Sequence, residues 1–249
     1  MKIDILGCSG SVAKGFNTTS FLINDTVLID AGSAASELSE TSLAKIQHIL
    51  LTHTHIDHIK ELPFILEPFL HKDAQGVHIW GSKETMEAIR MHIFNGSIWP
   101  DLQEIAVDNT VLKFAPIPSE TFSIANLEVC PISVDHIPGS LAYAIAENGK
   151  YILVSGDTGY SQELFDFAAS FGKDLQAFFI EASFPNNMDQ IAKISKHLTP
   201  KLVKQGIEGR IPASCKVIVY HLKPNYFSEI IADLSPQIEY IKGGEVFYF

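Results

Sequence analysis

Four side chains that can bind a metal ion fall within six residues of one segment, THTHIDH (52–58). They are His53, His55, Asp57 and His58. Imidazole nitrogens and carboxylate oxygens are the ligands that Zn²⁺ and related divalent ions prefer. Packing alone rarely brings four such residues so close together, so the segment predicts a metal site rather than a solvated loop.

The spacing divides these four residues between two ions. His53 and His55 are two residues apart and can face one ion together in an extended turn. Asp57 and His58 fall where the chain is predicted to enter a helix, so their side chains point elsewhere, towards a second ion. Two ions about 3.5–4 Å apart also need a bridging ligand and further histidines from distant parts of the chain.

The other candidates stand where predicted strands end. Six apolar runs end on, or lead directly to, a polar residue: Asp30, His53, His136, Asp157, Glu181 and His221. Because ligands collect beyond the carboxyl ends of strands in α/β folds, we expect these residues to meet along one edge of the fold. Asp157 suits the bridge, His136 suits the first ion and His221 the second.

Two further residues have different expected roles. Asp30 precedes Gly32 and is predicted to be a buried residue that holds a ligand in place from behind. His197 lies between two predicted helices and, taken by itself, is typical of a helix-end histidine.

Short apolar runs alternate with helical patterns along the chain. The predicted strands are 2–6, 20–23, 26–29, 48–52, 77–80, 127–132, 141–146, 151–154, 177–181, 216–220 and 245–249. The predicted helices are 57–69, 83–93, 162–171, 188–196, 200–208 and 226–234. This pattern predicts a single α/β domain over residues 1–249, built as a four-layer αββα sandwich; a doubly wound single sheet is the alternative.

Composition narrows the class of protein. Apolar residues make up 46 % and charged residues 19 % of the 249 residues, which is typical of a globular domain. The net charge of −11 disfavours binding to nucleic acid, although metal ions can reverse the local field for a small anionic substrate. Three isolated cysteines, the lack of a membrane-length apolar run and the lack of a signal-like start predict a cytoplasmic protein with free thiols.

These residues and their separations resemble those of a known superfamily. HxHxDH after a strand, followed by His, Asp and His at these separations, is similar to the metallo-β-lactamase fold superfamily, and the resemblance extends from LIDAG through YH221. The segments LGCSGS, HIDHIKELPF, SKHLTPKL and YHLKP resemble class II 3′,5′-cyclic-nucleotide phosphodiesterases. The sequence departs from that family at Glu61, where glycine is usual.

Carried over residue by residue, the resemblance implies the same ligands as the spacing. His53, His55 and His136 would bind one ion, Asp57, His58 and His221 would bind the other, and Asp157 would bridge them. Catalytic roles fall to Asp57 and to His197, which would contact the phosphate or donate a proton. The implied cofactor is a pair of divalent ions, most simply Zn²⁺, with Mn²⁺ or Fe²⁺ as alternatives.

The resemblance implies a phosphodiesterase that converts cyclic AMP or cyclic GMP into a nucleoside 5′-monophosphate. Its partner would be this small anionic substrate rather than nucleic acid or a membrane, and a homodimer is left open. The alternatives are a ribonuclease Z-like tRNA 3′-end endonuclease, since EASF at 181–184 and His197 are similar to segments of that enzyme, and a lactonase or thioesterase of the same fold. A module that uses metal only structurally is a third class, disfavoured because the cluster contains no cysteine.

Overall fold

The computed structural model describes residues 1–70, 76–105 and 112–249. The strands are β1 (Lys2–Gly7), β2 (Ser20–Ile23), β3 (Val27–Ile29), β4 (His48–Leu50), β5 (Val77–Gly81), β6 (Leu112–Pro116), β7 (Phe122–Ile124), β8 (Leu127–Ser133), β9 (Leu141–Glu147), β10 (Lys150–Val154), β11 (Leu175–Glu181), β12 (Lys216–Tyr220), β13 (Glu239–Tyr240) and β14 (Val246–Tyr248). The helices are α1 (Ala34–Glu37), α2 (Glu40–Leu43), α3 (Ile56–Ile59), α4 (Leu62–Leu66), α5 (Lys83–His92), α6 (Leu102–Ile105), α7 (Gln162–Ser170), α8 (Asp189–Ser195), α9 (Pro200–Ile207) and α10 (Phe227–Asp233).

Within these residues the strands form two sheets of seven. The first has the order β14-β1-β2-β3-β4-β5-β6 and the second the order β13-β12-β11-β10-β9-β8-β7. Strands β3 to β6 run parallel to one another, as do β10 to β13. Parallel neighbours end at the same edge of a sheet, so residues that follow them can converge.

Three apolar layers hold the sheets and helices together. The inner faces of the two sheets pack against each other, and Phe21 of the first sheet meets Phe179 and Tyr220 of the second at ring-centroid distances of 5.4 and 5.2 Å. The outer face of each sheet is covered by helices over its own buried cluster. The predicted four-layer αββα arrangement is therefore confirmed, because both sheets bury side chains on both faces.

The predicted helix 57–69 is wrong in its continuity. The chain forms α3, breaks at Lys60 and Glu61, forms α4 and then makes a 3₁₀ turn over Glu67–Leu70. The break occurs because the Glu61 N–H donates to the carbonyl oxygen of Ala31 at 2.9 Å instead of continuing the helix. Pro63, in the first turn of α4, has no N–H to bond back and suits a helix start.

Glu61, the position that departs from the resembled family, is bound to helix α1. Its carboxylate accepts hydrogen bonds from the Ser36 N–H at 3.0 Å and from the Ser36 hydroxyl at 2.9 Å, and it lies 3.4 Å from the Lys60 ammonium. Through these contacts the carboxylate holds α1 against the segment that begins α4.

The three cysteines lie apart as free thiols. Cys8 and Cys215 are buried and Cys130 is half-buried. Burial raises the pKa of the Cys215 thiol to about 12, so this thiol stays protonated and unreactive at neutral pH.

The helices of the described residues contain no segment that is both long enough and apolar enough to cross a bilayer.

His48, at the start of β4, makes the fold sensitive to acid. Its half-buried ring accepts a hydrogen bond from the Trp80 indole N–H at 3.2 Å and lies beside His78. Burial, and then the neighbouring His78, lower the pKa of His48 to about 4. The folded state therefore resists a proton that the unfolded chain accepts near its ordinary pKa, so stability falls as pH drops from about 6.5 towards 4.

We expect His48→Gln to remove this sensitivity while keeping an acceptor for Trp80. Between pH 7.5 and pH 5.0, the free energy of unfolding of the wild type should fall by about 1 kcal/mol more than that of the variant, after allowance for solvent screening of a half-buried ring. Urea unfolding at both pH values measures the difference, since the other titrating groups are common to the two proteins. An equal loss in both proteins would contradict this role.

Candidate metal centre

The site lies where strands of both sheets end. Asp30 follows β3, and His53 lies three residues beyond β4 in the first sheet. The second sheet supplies four residues from its own strand ends: His136 after β8, Asp157 after β10, Glu181 at the end of β11 and His221 after β12. The expected convergence of these six residues is confirmed, and all six are buried. The segment THTHIDH (52–58) contributes further residues to the same place. His55 is the N-cap of α3, and Asp57 and His58 in this helix point towards the site.

The ligand candidates separate into two groups. His53, His55, His136 and Asp157 have ligand atoms within 4.8 Å of one another, and so do Asp57, His58 and His221. Asp157 joins the groups with its two oxygens. Its Oδ2 lies 3.6 Å from His53 Nε2 and 3.9 Å from His136 Nε2, whereas its Oδ1 lies 3.4 Å from His58 Nε2 and 3.3 Å from His221 Nε2.

The spacing of these atoms fits metal coordination. Two ligand atoms each about 2.0–2.2 Å from a tetrahedral Zn²⁺ lie about 3.3–3.6 Å apart. Within the groups the nearest separations are 3.0 Å between His136 Nε2 and His55 Nδ1, and 3.1 Å between His58 Nε2 and His221 Nε2. His53 Nε2 and Asp157 Oδ1 are buried without a hydrogen-bond partner among the described residues. Buried polar atoms are rarely left so, and a cation between the groups would satisfy both.

In His136 and His53, the partner of the Nδ1 atom sets which nitrogen faces the site. His136 Nδ1 lies 2.9 Å from the Lys196 carbonyl oxygen, which can only accept, so Nδ1 carries the proton and Nε2 keeps its lone pair. Thr52 acts similarly on His53: its hydroxyl donates to Asp30 at 2.8 Å and therefore accepts from His53 Nδ1 at 3.0 Å. Neutral imidazoles with their Nε2 lone pairs turned inwards are the form that binds metal.

The charges of the site favour a cation. Burial lowers the pKa of His53, His55 and His136, which keeps these rings neutral. Burial would raise the pKa of Asp157, but the neighbouring His221 and His58 hold it well below its usual range. Burial likewise opposes protonation of His58, yet Asp157 and Asp30 raise its pKa well above the ordinary value. A divalent ion would replace the proton on His58, so the affinity for metal is expected to fall as pH falls.

Asp30 binds His58 at the ring nitrogen that faces away from the other ligands, as the sequence predicts. Its Oδ2 lies 2.7 Å from His58 Nδ1 and accepts from the Thr52 hydroxyl, while its Oδ1 accepts from the Thr52 N–H at 2.8 Å. The backbone of Asp30 is left-handed, with φ +57°. A residue other than glycine adopts this conformation at a cost of about 1–2 kcal/mol, which the three hydrogen bonds of the carboxylate offset.

We expect Asp30→Ala to lower the affinity for metal about 10- to 100-fold, because His58 loses the partner that fixes its ring. The ion bound by Asp57, His58 and His221 should be lost first. Calorimetric titration of metal-free protein with Zn²⁺ measures both affinities, and Asp25→Ala, at an exposed turn, serves as the carboxylate control. Unchanged affinity for both ions in Asp30→Ala would show that His58 needs no such support.

His221 is held by its backbone as well as by its side chain. Its φ is +62°, its N–H donates to the Cys8 carbonyl oxygen, and its Nδ1 lies 2.9 Å from the Ser183 hydroxyl. Gly10 lies flat against the ring: a Cβ there would come within 2.8 Å of His221 Nδ1. Only glycine permits this approach, which gives the LGCSGS segment a steric role at the site.

His197 stands beside the ligands, bound to Glu181. Its Nδ1 lies 2.7 Å from Glu181 Oε1, and its ring centroid is 5.0 Å from that of His136 and 5.6 Å from that of His221. Burial opposes protonation of His197, but the Glu181 carboxylate outweighs it and raises the pKa of the ring. The structure thus places at the site a histidine that its sequence context alone would assign to a helix end.

Sequence reasoning identified Glu181 as a strand-end residue and as part of the EASF segment, but it did not identify its bond to His197 or the supporting roles of Thr52 and Ser183. The Glu181 carboxylate is fully buried and accepts from the N–H groups of Thr158, Ser183 and Leu198. The available signal was the polar residue at the end of an apolar strand, since such a carboxylate must find partners once buried.

Two sheets flanked by helices, with His and Asp side chains clustered at the strand ends, define a protein of the metallo-β-lactamase fold whose clustered residues could hold metal ions. Within that class the chain belongs to the Anti-Pycsar protein Apyc1 family, whose sequence model matches residues 1–203.

Individual proteins similar to the chain agree with this class. A probable 3′,5′-cyclic-nucleotide phosphodiesterase of Yersinia pestis is 26 % identical over 89 % of this chain and 78 % of its own length. The crystal structure of unliganded yeast PDE1 has a TM-score of 0.82 at 19 % identity, covering 100 % of this chain and 99 % of that one. Human tRNase Z, short form, has a TM-score of 0.72 at 16 % identity, with coverage of 100 % and 99 %. At such identities the two structures establish the fold alone.

Proposed function

We propose that residues 1–249 form one domain that hydrolyses 3′,5′-cyclic nucleotides to nucleoside 5′-monophosphates with two divalent ions. The observation that carries the proposal is the position of Asp157, whose two oxygens face two separate groups of ligand atoms. A carboxylate so placed suits a bridge between two ions, and paired ions suit the displacement of one oxygen by another at phosphorus.

In this proposal His53, His55 and His136 would hold one ion, Asp57, His58 and His221 would hold the other, and Asp157 would contribute to both. When bound, the ions would supply positive charge that neutralises the phosphodiester and makes a water molecule acidic enough to react at neutral pH. The first donor set has three nitrogens and one carboxylate oxygen, and the second has two nitrogens and two carboxylate oxygens. Zn²⁺ suits both sets, and Mn²⁺ and Fe²⁺ accept the same donors.

The residues of the chain then have distinct tasks. The pKa values of Asp57 and Asp157 are lowered, so both carboxylates are ionised and would hold the ions by charge. His197 donates a proton from Nε2 to the departing 3′ oxygen, while Glu181 holds Nδ1 and keeps the ring charged. One P–O3′ bond breaks, one bond from phosphorus to the oxygen of water forms, and the proton of His197 is replaced by one from that water.

Two observations support a small substrate over tRNA. The net charge is −11, whereas a nucleic-acid partner needs a positive footprint. The similar protein from Yersinia pestis is named for cyclic nucleotides and aligns with 89 % of this chain. Because the chain shares its fold with tRNase Z, endonuclease activity is the alternative function to be tested.

A product assay on purified, metal-loaded protein tests the proposal. The substrates are cyclic AMP, cyclic GMP, an aryl phosphodiester, precursor tRNA and an acyl-homoserine lactone. We expect 5′-monophosphates from the cyclic nucleotides, with one ¹⁸O atom in the phosphate when the reaction runs in H₂¹⁸O. Efficient cleavage of tRNA 3′ ends without turnover of cyclic nucleotides would establish the endonuclease instead, and hydrolysis of the lactone alone would exclude both.

A further inference from the structure

Helix α8 ends in a Schellman motif that carries lysine where glycine is usual. Lys196 has φ +54° and ψ +58°, its N–H lies 3.3 Å from the Lys193 carbonyl oxygen, and the His197 N–H donates to the Ala192 carbonyl oxygen at 2.8 Å. These are the two hydrogen bonds of the motif, and the left-handed residue between them is most often glycine because a Cβ is disfavoured there.

Lys196 also contacts the loop that carries His136. Its carbonyl oxygen lies 2.9 Å from His136 Nδ1, and its ammonium lies 2.8 Å from Asp135 Oδ1. The residue that follows it, His197, has its ring 5.0 Å from that of His136. A single peptide segment therefore touches both a candidate ligand and the candidate proton donor.

We propose that Lys196 is a positioning residue whose left-handed backbone aims its carbonyl oxygen at His136 and so joins the His136 loop to the segment carrying His197. The inference rests on the proposed function, because His136 is taken as a ligand. A carbonyl oxygen at this position keeps the proton of His136 on Nδ1 and its lone pair on Nε2, towards Asp157.

The backbone, rather than the side chain, carries this role. The ion pair with Asp135 is about half exposed on both sides, at 48 % and 54 %, and exposed pairs contribute little. The hydrogen bond from His136 depends on the direction of the Lys196 carbonyl, which is set by its φ and ψ. If this residue moved to a right-handed or extended conformation, the carbonyl would turn away from the ring.

Substitutions that differ in their tolerance of the left-handed conformation separate the two contributions. Lys196→Gly and Lys196→Asn adopt it readily but remove the ion pair, whereas Lys196→Val resists it. Asn148→Val is the matched control, because Asn148 is also left-handed, at φ +53°, in the turn between β9 and β10. Asp135→Asn removes the ion pair and leaves the backbone unchanged.

The main measurement is titration of metal-free protein with Co²⁺, followed by its visible absorption. We expect Lys196→Val to lower the affinity for one of the two ions about 10- to 100-fold, the usual effect of losing a residue that orients a ligand. The Gly, Asn and Asp135→Asn variants should stay within about threefold of the wild type for both ions. Asn148→Val should unfold at lower temperature and bind both ions normally.

A second measurement determines which nitrogen of the His136 ring carries the proton. Long-range ¹H–¹⁵N spectra should show His136 protonated on Nδ1 in the wild type and in Lys196→Gly, and a mixture of tautomers in Lys196→Val. A role confined to ending the helix would lower stability without changing this signature. If Lys196→Val does not fold, Lys196→Ala replaces it, with a loss of about tenfold expected because alanine resists the conformation less.

Two results would overturn the inference while leaving the proposed function intact. One is wild-type affinity for both ions in Lys196→Val, or in Lys196→Ala if that variant replaces it. The other is an equal loss in Lys196→Gly, which would assign the effect to the side chain. A wild type that binds fewer than two ions would instead remove the proposed function, and this inference with it.

Discussion

Asp157→Ala should bind neither ion tightly and should have no measurable turnover. Each oxygen of Asp157 faces a different group of ligand atoms, so its removal takes one ligand from both ions at once. Two divalent cations about 4 Å apart also repel each other strongly once the shared negative charge is gone. We expect the affinity for each ion to fall by at least about 100-fold, more than for the loss of a residue that only supports a ligand.

Elemental analysis after dialysis in metal-replete buffer, with calorimetric titration of metal-free protein, measures this effect. Asp174→Ala is the matched control, because Asp174 is an exposed carboxylate paired with Lys150 away from the site. Asp157→Asn keeps the size of the side chain and one neutral oxygen, so it should retain one ion at most. If Asp157→Ala kept one ion at full affinity, Asp157 would be a ligand of the other ion alone.

His197→Ala should separate chemistry from metal binding. His197 lies beside His136 and His221 and is held by Glu181, while seven other residues already provide ligand atoms for two ions. The variant should therefore keep both ions and the fold. Its kcat on cyclic nucleotides should nevertheless fall by about 10²- to 10⁴-fold, the usual contribution of one acid–base group.

Substrates with different leaving groups test whether His197 acts as a proton donor. An aryl phosphodiester releases a phenolate that hardly needs a proton, so the loss in His197→Ala should be much smaller on that substrate. His92→Ala, at an exposed histidine outside the site, should match the wild type on both substrates. Loss of an ion from His197→Ala would make His197 a ligand, consistent with its lying within 4.8 Å of Asp157 and His221. Near-normal turnover of every substrate would show that His197 has only a structural role at the end of a helix.

The clustering of the donors in THTHIDH could be predicted because its signal is local. HxHxDH places four donors at the junction of a strand and a helix, and such short spacing leaves few ways for the side chains to point. The distant partners were predictable for a related reason. Asp157, Glu181 and His221 stand at the ends of three neighbouring parallel strands, which finish at one edge of their sheet. The strand that leads to His136, β8, runs antiparallel to β9 and therefore in the same direction as β10, so it finishes at that edge as well.

The strands that were missed have weaker patterns. β6, β7 and β13 lie near or at the outer ends of the two sheets. β13 has two residues, both exposed. Such strands form because a neighbouring strand offers unpaired backbone groups, so tertiary context outweighs their own sequence.

The sequence alone predicted an αββα fold with a His- and Asp-rich site, because hydrophobic periodicity and donor spacing are properties of neighbouring residues. Only the tertiary structure decided that the two oxygens of Asp157 face different groups, that Glu181 holds His197, and that the carbonyl oxygen of Lys196 meets His136 across sixty residues of chain. The structure also shows left-handed backbone at Asp30, Lys196 and His221, a conformation that few residues other than glycine adopt. At Asp30 and His221, hydrogen bonds to distant segments stabilise this conformation, and such contacts leave no pattern along the chain.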